Sequence, residues 1–398
     1  MLSSKKIFKQ NQAQTFPYPS CLEIKSASGS FIFDINDKSY LDFVAGVSAC
    51  TLGHSHPSIN QAIIDQTKKY AHVMVYGEYI QSPQFKLAHL ISSNLPDNLT
   101  TTYFTNSGTE AIEGAIKLAK RSNGRSEILS CKNSYHGSTQ GALSIIGNEN
   151  QKSNYRPLIP DCNQIIFNDL NSIEKITSKT CAVVLEPIQS ASGFVEIDIE
   201  FLNKVRQKCD STGTILIFDE IQTCFGRIGS LFACIYYNIF PDILCIAKGM
   251  GAGMPIGAFI SSWKLMNNFT TNPSLGHITT FGGHPVCCAA SLACLNYLLH
   301  SDIMDSIKEK ENLFRSKLKH PLIKEIRGKG LMLAIELGNE DLTKKLVDTS
   351  LEKGLILFYF LFTKTAVRIS PPLTISKEEI KKGCEIIISI LDNKKKEP

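Results

Sequence analysis

A lysine and an aspartate, each at the end of an apolar run, are the residues of this sequence best suited to chemistry. Lys248 follows the apolar residues 243–247 and precedes the glycine-rich residues 249–257, and Asp219 ends the run 214–218. Both runs have the length and β-branched content of buried strands. Ligands of open α/β sheets bind outside the carboxyl ends of the strands, so the two side chains are predicted to face one site. Such a pair suits a pyridoxal phosphate enzyme, with the lysine as Schiff base and the aspartate on the pyridinium nitrogen.

Both residues also have simpler interpretations. A lysine at a strand end is most often solvated, although the flanking glycines favour a site here. An apolar run before Asp219 and Glu220 is also typical of the magnesium-binding strand of ATPases. That interpretation needs a Gly-x-x-x-x-Gly-Lys-Ser/Thr loop, which the sequence lacks. The sequence also lacks Gly-x-Gly-x-x-Gly, which argues against a nicotinamide enzyme.

Two loops that follow predicted strands could surround a cofactor. The first, residues 106–111, enters a helix, where Gly108 permits close approach and Thr109 adds a hydroxyl to the free N–H groups. Such residues also favour helix starts without any ligand, but beside Lys248 and Asp219 they favour phosphate. In the second loop, Tyr135 could cover one face of a cofactor ring, although a lone tyrosine is more often a core or rim residue.

The elements that must position these residues alternate between helical patterns and short apolar runs from about residue 57 to 300. This alternation predicts an α/β fold with a mainly parallel sheet covered by helices. The runs lie near 101–105, 126–131, 164–168, 181–186, 214–219, 243–247 and 258–261.

The remaining sequence predicts a smaller α+β domain. Residues 30–43 have the pattern of a hairpin, and after residue 300 a charged helix, two strands and a last amphipathic helix are predicted. The predicted limits are residues 1–56 for an N-terminal segment that joins the small domain, 57–300 for the large cofactor-binding domain, and 301–398 for the small domain. A catalytic cleft is expected between the two domains.

Composition narrows the function classes. The net charge of +5 over 398 residues is small, and much of it lies in exposed runs such as 393–396. This pattern does not indicate a surface that binds nucleic acid. The thirteen cysteines are scattered without a Cys-x-x-Cys pair, which favours reduced thiols and no metal site. No signal peptide or membrane-spanning run is recognised, so a cytoplasmic protein is expected.

A set of motifs extends from about residue 40 to residue 373. The motifs are Leu41-Asp42-Phe43, Gly53-His54-Ser55-His56-Pro57, Asn106-Ser107-Gly108-Thr109-Glu110-Ala111, Tyr135-His136-Gly137, Glu186-Pro187-Ile188-Gln189, Asp219-Glu220-Ile221-Gln222, Ala247-Lys248-Gly249, Thr280-Phe281-Gly282-Gly283, Arg327-Gly328-Lys329-Gly330-Leu331 and Arg368-Ile369-Ser370-Pro371-Pro372-Leu373. In these motifs the sequence resembles the class III pyridoxal-phosphate-dependent aminotransferases, which include acetylornithine, ornithine and 4-aminobutyrate aminotransferases.

This resemblance implies a fold-type I transferase and a homodimer with active sites at the subunit interface. It assigns the Schiff base to Lys248 and the ring-nitrogen contact to Asp219. Gln222 is expected near the ring hydroxyl and Tyr135 on the pyridine face.

The resemblance also implies the residues that bind the cofactor phosphate and the substrate. Gly108 and Thr109 match phosphate-binding positions, Thr280 matches one that reaches the phosphate of the neighbouring subunit, and Arg368 matches the arginine that binds a substrate carboxylate. Two further residues of the matched motifs, His136 and Glu186, complete the predicted cofactor-binding set.

Two departures from the family pattern bear on the substrate. Acetylornithine and ornithine enzymes usually carry arginine at the position of Ser138, and many members carry glutamate at the position of Ala191, where it masks the arginine that matches Arg368. Arg368 is therefore expected to stay exposed throughout the reaction. The predicted activity is ping-pong transfer of an amino group from an ornithine-like or acylated diamino acid to 2-oxoglutarate. The alternatives are 4-aminobutyrate or an α-amino acid as donor, or an aminomutase.

Overall fold

The structure, a computed structural model, describes residues 3–394, so the predicted basic run at 393–396 lies partly outside the described residues. The helices, most with one buried face, are α1 (Ser4–Asn11), α2 (Ala45–Ser48), α3 (Pro57–Lys69), α4 (Ser82–Ser92), α5 (Gly108–Asn123), α6 (Gln140–Ser144), α7 (Ile199–Thr212), α8 (Ala233–Tyr237), α9 (Trp263–Met266), α10 (Pro285–Leu299), α11 (Ile303–Lys317), α12 (Glu340–Glu352) and α13 (Lys377–Lys394).

The strands fall into four sheets. They are β1 (Ile24–Ser28), β2 (Phe31–Asp34), β3 (Ser39–Asp42), β4 (Thr101–Thr105), β5 (Glu127–Cys131), β6 (Cys162–Ile165), β7 (Thr180–Leu185), β8 (Ile188–Gln189), β9 (Val195–Glu196), β10 (Ile215–Asp219), β11 (Ile243–Ile246), β12 (Gly257–Ser261), β13 (Glu325–Lys329), β14 (Met332–Glu336), β15 (Leu355–Ile356), β16 (Phe358–Tyr359) and β17 (Ala366–Ile369).

The central sheet has seven strands in the order β4-β12-β11-β10-β7-β5-β6. Only β12 runs antiparallel to its neighbours; the pairs from β11 to β6 are parallel. Its inner strands, such as β7 with every residue buried, are apolar because helices cover both faces. The predicted mainly parallel sheet is confirmed, and all seven predicted runs coincide with its strands.

One predicted strand lies a little earlier than expected. The run near 164–168 predicts a strand that ends at residue 168, but β6 ends at Ile165. Ile166 is half-exposed and Asn168 has φ 60°, so the chain turns away from the sheet edge there. An apolar residue such as Ile166 on the surface explains why the pattern overstated the length of this strand.

Two smaller sheets flank the central one. The predicted hairpin forms β2 and β3, and β15 pairs in parallel with β3, which joins the N-terminal segment to the C-terminal region. The other sheet has the order β13-β14-β17-β16. The apolar face predicted for the last helix consists of Ile380, Cys384, Ile387, Ile388 and Leu391. Helix α13 buries all of these except Ile388, which is half-buried. The domain limits themselves stay a prediction.

Within residues 3–394, no single helix is long and apolar enough to cross a membrane. One pair of helices, α10 and α11, meets the length and composition criteria only when both are taken together, and the two are bent by 75°.

A buried ion contact fixes the turn that follows β3. Asp42 accepts hydrogen bonds from the N–H groups of Val44 and Ala45 at 2.8 and 3.0 Å, and its other oxygen lies 2.8 Å from His54 Nε2. The four residues of α2 all have positive φ, from 50° to 67°. Because positive φ is unfavourable for residues other than glycine, the contacts of Asp42 must hold this turn in place.

We expect the contact between His54 and Asp42 to stabilise the fold most at acidic to neutral pH. Hydrogen bonds to Asp42, and secondarily Cys50, raise the pKa of His54 from 6.5 to about 10. Because the pKa of His54 is higher in the folded state than in the unfolded state, its protonation stabilises the fold. This contribution is complete below pH 6.5 and is lost as the pH rises from 6.5 to about 10. His54→Asn should therefore lower the free energy of unfolding by roughly 1–3 kcal/mol in mildly acidic buffer, and by much less at the upper end of that window.

Urea unfolding followed by circular dichroism at both pH values measures this difference. The exposed His300 supplies the control, since His300→Asn should change stability little at either pH. An equal loss for His54→Asn at both pH values would contradict a role for the protonated imidazole.

Candidate active site

A cavity of about 510 Å³ lies at the carboxyl ends of the central strands, which is within the usual range for a small-molecule site. The chain that follows β4, β5, β7, β10 and β11 supplies most of its lining. The predicted site residues that line it are Gly108, Thr109, Tyr135, His136, Glu186, Asp219, Gln222 and Lys248. The two remaining predicted residues, Thr280 and Arg368, do not line it.

Lys248 follows β11 and begins a short 3₁₀ turn with φ 44°. Burial lowers the pKa of its ammonium group; Asp219 opposes this effect and Arg368 adds to it. Within residues 3–394 the Lys248 side chain has no hydrogen bond or ion pair, and it lines the cavity. A lysine with a lowered pKa is available as a neutral nucleophile, and positive φ at a non-glycine residue is typical of functional sites.

Asp219 is the last residue of β10 and is buried. One of its carboxylate oxygens lies 2.7 Å from His136 Nδ1, and the other accepts the N–H of Ile221 at 3.1 Å. An ionised carboxylate only accepts hydrogen bonds, so His136 donates from Nδ1. The aspartate is therefore held in one orientation at the cavity wall.

The N-terminus of α5 also opens into the cavity. The Ser107 hydroxyl caps the helix by accepting the N–H of Glu110, which leaves the first N–H groups and the positive end of the helix dipole for an anion. A Cβ at Gly108 would meet the Ile221 side chain at 2.7 Å. Only glycine therefore fits between the cavity and Ile221.

Thr109 and Gly137 are in close contact on the same side. Gly137 has φ 132°, and a Cβ there would lie 2.2 Å from Thr109 Oγ1. The Thr109 hydroxyl lies 2.7 Å from Thr139 Oγ1, which in turn donates to Glu113 at 2.6 Å. This chain of hydroxyl groups holds Thr109 at the helix N-terminus.

Glu186, directly after β7, fixes the loop that carries Tyr135. One carboxylate oxygen accepts the Tyr135 N–H at 3.0 Å, and the other accepts the N–H and hydroxyl of Ser190 at 2.8 and 2.6 Å. Burial raises the pKa of Glu186, and the nearby His136 opposes that rise. The Tyr135 hydroxyl lies 3.1 Å from Ser138 Oγ.

Sequence reasoning missed Ser48 as a part of this site. Its hydroxyl accepts a hydrogen bond from Gln222 Nε2 at 3.0 Å, and its backbone belongs to the left-handed turn after β3. The partner lies 174 residues away along the chain. Only the tertiary fold reveals the pairing, because nothing in the local pattern around Ser48 marks it.

Arg368 and Thr280 lie outside the cavity lining. Arg368 is 5% exposed because two phenylalanine rings, Phe194 and Phe360, enclose its guanidinium group. That no acidic residue masks it during the reaction stays a prediction. Thr280 is exposed on the surface of the chain.

This lining fits pyridoxal phosphate. The helix N-terminus suits its phosphate, the unpaired Lys248 suits its aldehyde, and the buried Asp219 suits its ring nitrogen. The glycines at 108 and 137, where a Cβ would clash, keep space at the phosphate end.

The family model for class III aminotransferases matches residues 13–391. The chain belongs to the class III aminotransferases. Membership confirms the predicted fold-type I architecture, the transaminase class and the cofactor, pyridoxal phosphate.

Individual relatives agree with this assignment. The chain is 37% identical over 371 residues to the acetylornithine aminotransferase of Clostridium acetobutylicum, which covers 90% of this chain and 93% of that protein. It is 34% identical to the succinylornithine transaminase of Yersinia pseudotuberculosis, with 92% and 91% covered. The solved structure of Toxoplasma gondii ornithine aminotransferase, which has partial occupancy of pyridoxal phosphate, is 28% identical with a TM-score of 0.90. That match covers 98% of this chain and 95% of the other.

We expect Gly137→Ala to weaken cofactor binding. The added methyl group would displace Thr109 from the helix N-terminus. Overpacking of this kind costs about 1–3 kcal/mol, and the midpoint of that range corresponds to a roughly thirtyfold higher dissociation constant. Titration of the apoenzyme with pyridoxal phosphate, followed by absorbance, measures the change.

Gly124→Ala is the matched control for this substitution. Gly124 also has positive φ, but a Cβ there meets nothing within 4 Å, so the variant carries the backbone strain without the clash. If wild type and Gly137→Ala bind the cofactor with equal affinity, the cofactor phosphate does not bind beside Thr109 at the start of α5.

Proposed function

We propose that this aminotransferase moves an ω-amino group from an ornithine-like or acylated diamino acid to 2-oxoglutarate by a ping-pong mechanism. The observation that carries the proposal is the unpaired Lys248 beside the buried Asp219 in one cavity. The names of the relatives, acetylornithine, succinylornithine and ornithine aminotransferases, support this donor class.

Lys248 and Asp219 are the proposed catalytic residues. Bound pyridoxal phosphate supplies an electron sink for the carbanion left when a proton leaves the substrate carbon. Asp219, held by His136, keeps a proton on the ring nitrogen. The Lys248 amine, whose pKa burial lowers, accepts the proton from the substrate carbon and returns it to the cofactor.

Other cavity residues orient the cofactor in this proposal. Gly108 and Thr109 bind the phosphate at the start of α5, and Tyr135 covers one face of the ring. Gln222 would contact the ring hydroxyl, and its Nε2 donates to the Ser48 hydroxyl at 3.0 Å, which fixes the amide. His136 and Glu186 act through their partners, since the first holds Asp219 and the second holds the Tyr135 loop.

Arg368 is the proposed site for a substrate carboxylate. Its guanidinium can bind a carboxylate through two parallel hydrogen bonds. Burial lowers the pKa of Lys248, and the charge of Arg368 adds to this effect. The resemblance to the family leads us to expect a second arginine at position 138, but this chain has Ser138, which carries no charge. We therefore propose that Arg368 binds the substrate carboxylate without help from that position.

We further propose a cytoplasmic homodimer in which Thr280 reaches the partner's cofactor phosphate. Support comes from the exposed apolar side chains beside it, Ile278 and Phe281, and from Ile80, which is 92% exposed. Large exposed apolar side chains in one segment are typical of interfaces. Light scattering of the purified protein should give twice the mass of the chain; the mass of a single chain would rule out the shared site.

An absorbance titration tests the proposed function. The purified protein should show the cofactor's visible band, lose it on addition of one ornithine-like donor, and regain it with 2-oxoglutarate. Lys248→Ala should fail to complete this cycle because the proton carrier is gone, whereas the exposed Lys264→Ala should behave as wild type.

The same titration with a panel of amino donors distinguishes the proposed function from its alternatives. A clear preference for 4-aminobutyrate or an α-amino acid over ornithine and its acylated forms would overturn the donor class. Bleaching that 2-oxoglutarate does not reverse, together with an isomerised product, would indicate an aminomutase.

A further inference from the structure

Arg368 is a buried cation without an acidic partner. Within residues 3–394 its guanidinium makes no ion pair, and its Nε has no hydrogen-bond partner. Burial alone lowers the pKa of Arg368 to about 10, and no carboxylate opposes this effect. A buried charge of this kind is unfavourable unless another interaction compensates it.

Two aromatic rings supply that interaction. The guanidinium carbon lies 5.3 Å from the ring centre of Phe194 and 4.9 Å from that of Phe360. The two rings are 4.8 Å apart at 89° to each other, and both are buried. A cation over the face of an aromatic ring within about 6 Å is attracted by the ring quadrupole. The two perpendicular rings therefore form two sides of a holder, which we call the phenylalanine clamp.

The backbone that carries Phe194 is strained and firmly anchored. Phe194 has φ 55°, a conformation that is rare for a bulky side chain. The preceding loop is fastened because Ala191 accepts the N–H of Phe362 at 3.0 Å and Gly193 accepts Arg327 Nε at 3.0 Å. Strain that surrounding contacts maintain in this way is concentrated at functional sites.

We propose that Phe194 and Phe360 are positioning residues that hold the Arg368 guanidinium, without an internal counter-ion, ready for the α-carboxylate of the 2-oxo acid acceptor. The proposal rests on the carboxylate-binding role of Arg368 given above. Because no acidic side chain among residues 3–394 forms an ion pair with the guanidinium, the acceptor carboxylate is its first counter-ion. The rings exclude water from the same space, which strengthens the attraction between the two charges.

Binding of glutarate to the holoenzyme tests the clamp. Glutarate has the two carboxylates of the acceptor but neither an amino nor a keto group, so it binds without reacting. Phe194→Leu and Phe360→Leu remove a ring face while keeping an apolar side chain. Each should raise both the dissociation constant of glutarate and the KM for the oxo-acid acceptor by about threefold to thirtyfold, while kcat changes less than twofold.

Two further variants separate positioning from general packing. Phe360→Tyr keeps a ring face and should restore glutarate affinity to within about threefold of wild type. Phe201→Leu also removes a buried ring that packs edge-to-face, against Phe167 at 6.1 Å, but no cation lies over that ring within the described part of the chain. It should lower the melting temperature and leave glutarate affinity unchanged.

Arg368→Gln distinguishes failure of the clamp from failure of the proposed function. If this variant binds glutarate as wild type does, Arg368 is not the carboxylate site and both proposals about it are wrong. If it loses glutarate while folded Phe194→Leu and Phe360→Leu variants bind normally, the clamp alone is overturned. Loss of glutarate in Phe201→Leu to the same degree would also overturn it, because the effect would then be general packing.

Discussion

The contact between Asp219 and His136 is the constraint around which the active site is arranged. A buried carboxylate at the end of β10 needs partners, and it has two: the imidazole at 2.7 Å and the Ile221 N–H at 3.1 Å. The imidazole comes from the loop after β5, and the aspartate from the strand two places away in the sheet. The contact therefore ties together the loops at the sheet edge where Lys248 also lies.

The charges in and around the cavity favour anionic ligands. Lys248 and Arg368 are basic groups whose pKa values burial lowers, and the start of α5 adds the positive end of a helix dipole. Asp219 and Glu186 line the cavity as buried acids. His136 fixes the orientation of Asp219, while backbone and side-chain donors of its own loops occupy Glu186. In the proposed function, a cofactor phosphate and a substrate carboxylate supply the negative charges that would balance this arrangement.

The features that could be predicted from the sequence are those that depend on local patterns of residues. Apolar runs that end in Asp219 and Lys248 identified the strands, and the order of such runs indicated a mainly parallel sheet, which places the ends of parallel strands at one edge. The residues of the cofactor motifs then follow from resemblance, and eight of them meet in one cavity. The length of β6 was overstated because the exposed Ile166 continues an apolar pattern that the sheet does not.

Contacts between distant parts of the chain could not be predicted. The hydrogen bond from Gln222 to Ser48 depends on a left-handed turn of residues other than glycine, which no propensity favours. The rings around Arg368 come from two loops that are separated by more than one hundred residues, and each phenylalanine by itself looks like an ordinary core residue. The burial of Arg368 between these rings was not predicted, because the sequence showed the missing acid but not the rings.

The central claim is that Lys248 is the residue that reacts with the cofactor opposite Asp219. Borohydride reduction of the holoenzyme, followed by digestion and mass spectrometry, tests it most directly because reduction makes the bond between lysine and cofactor permanent. The structure predicts one modified peptide, with the cofactor on Lys248. Modification of a different lysine, or none in protein that retains its cofactor, would contradict the account.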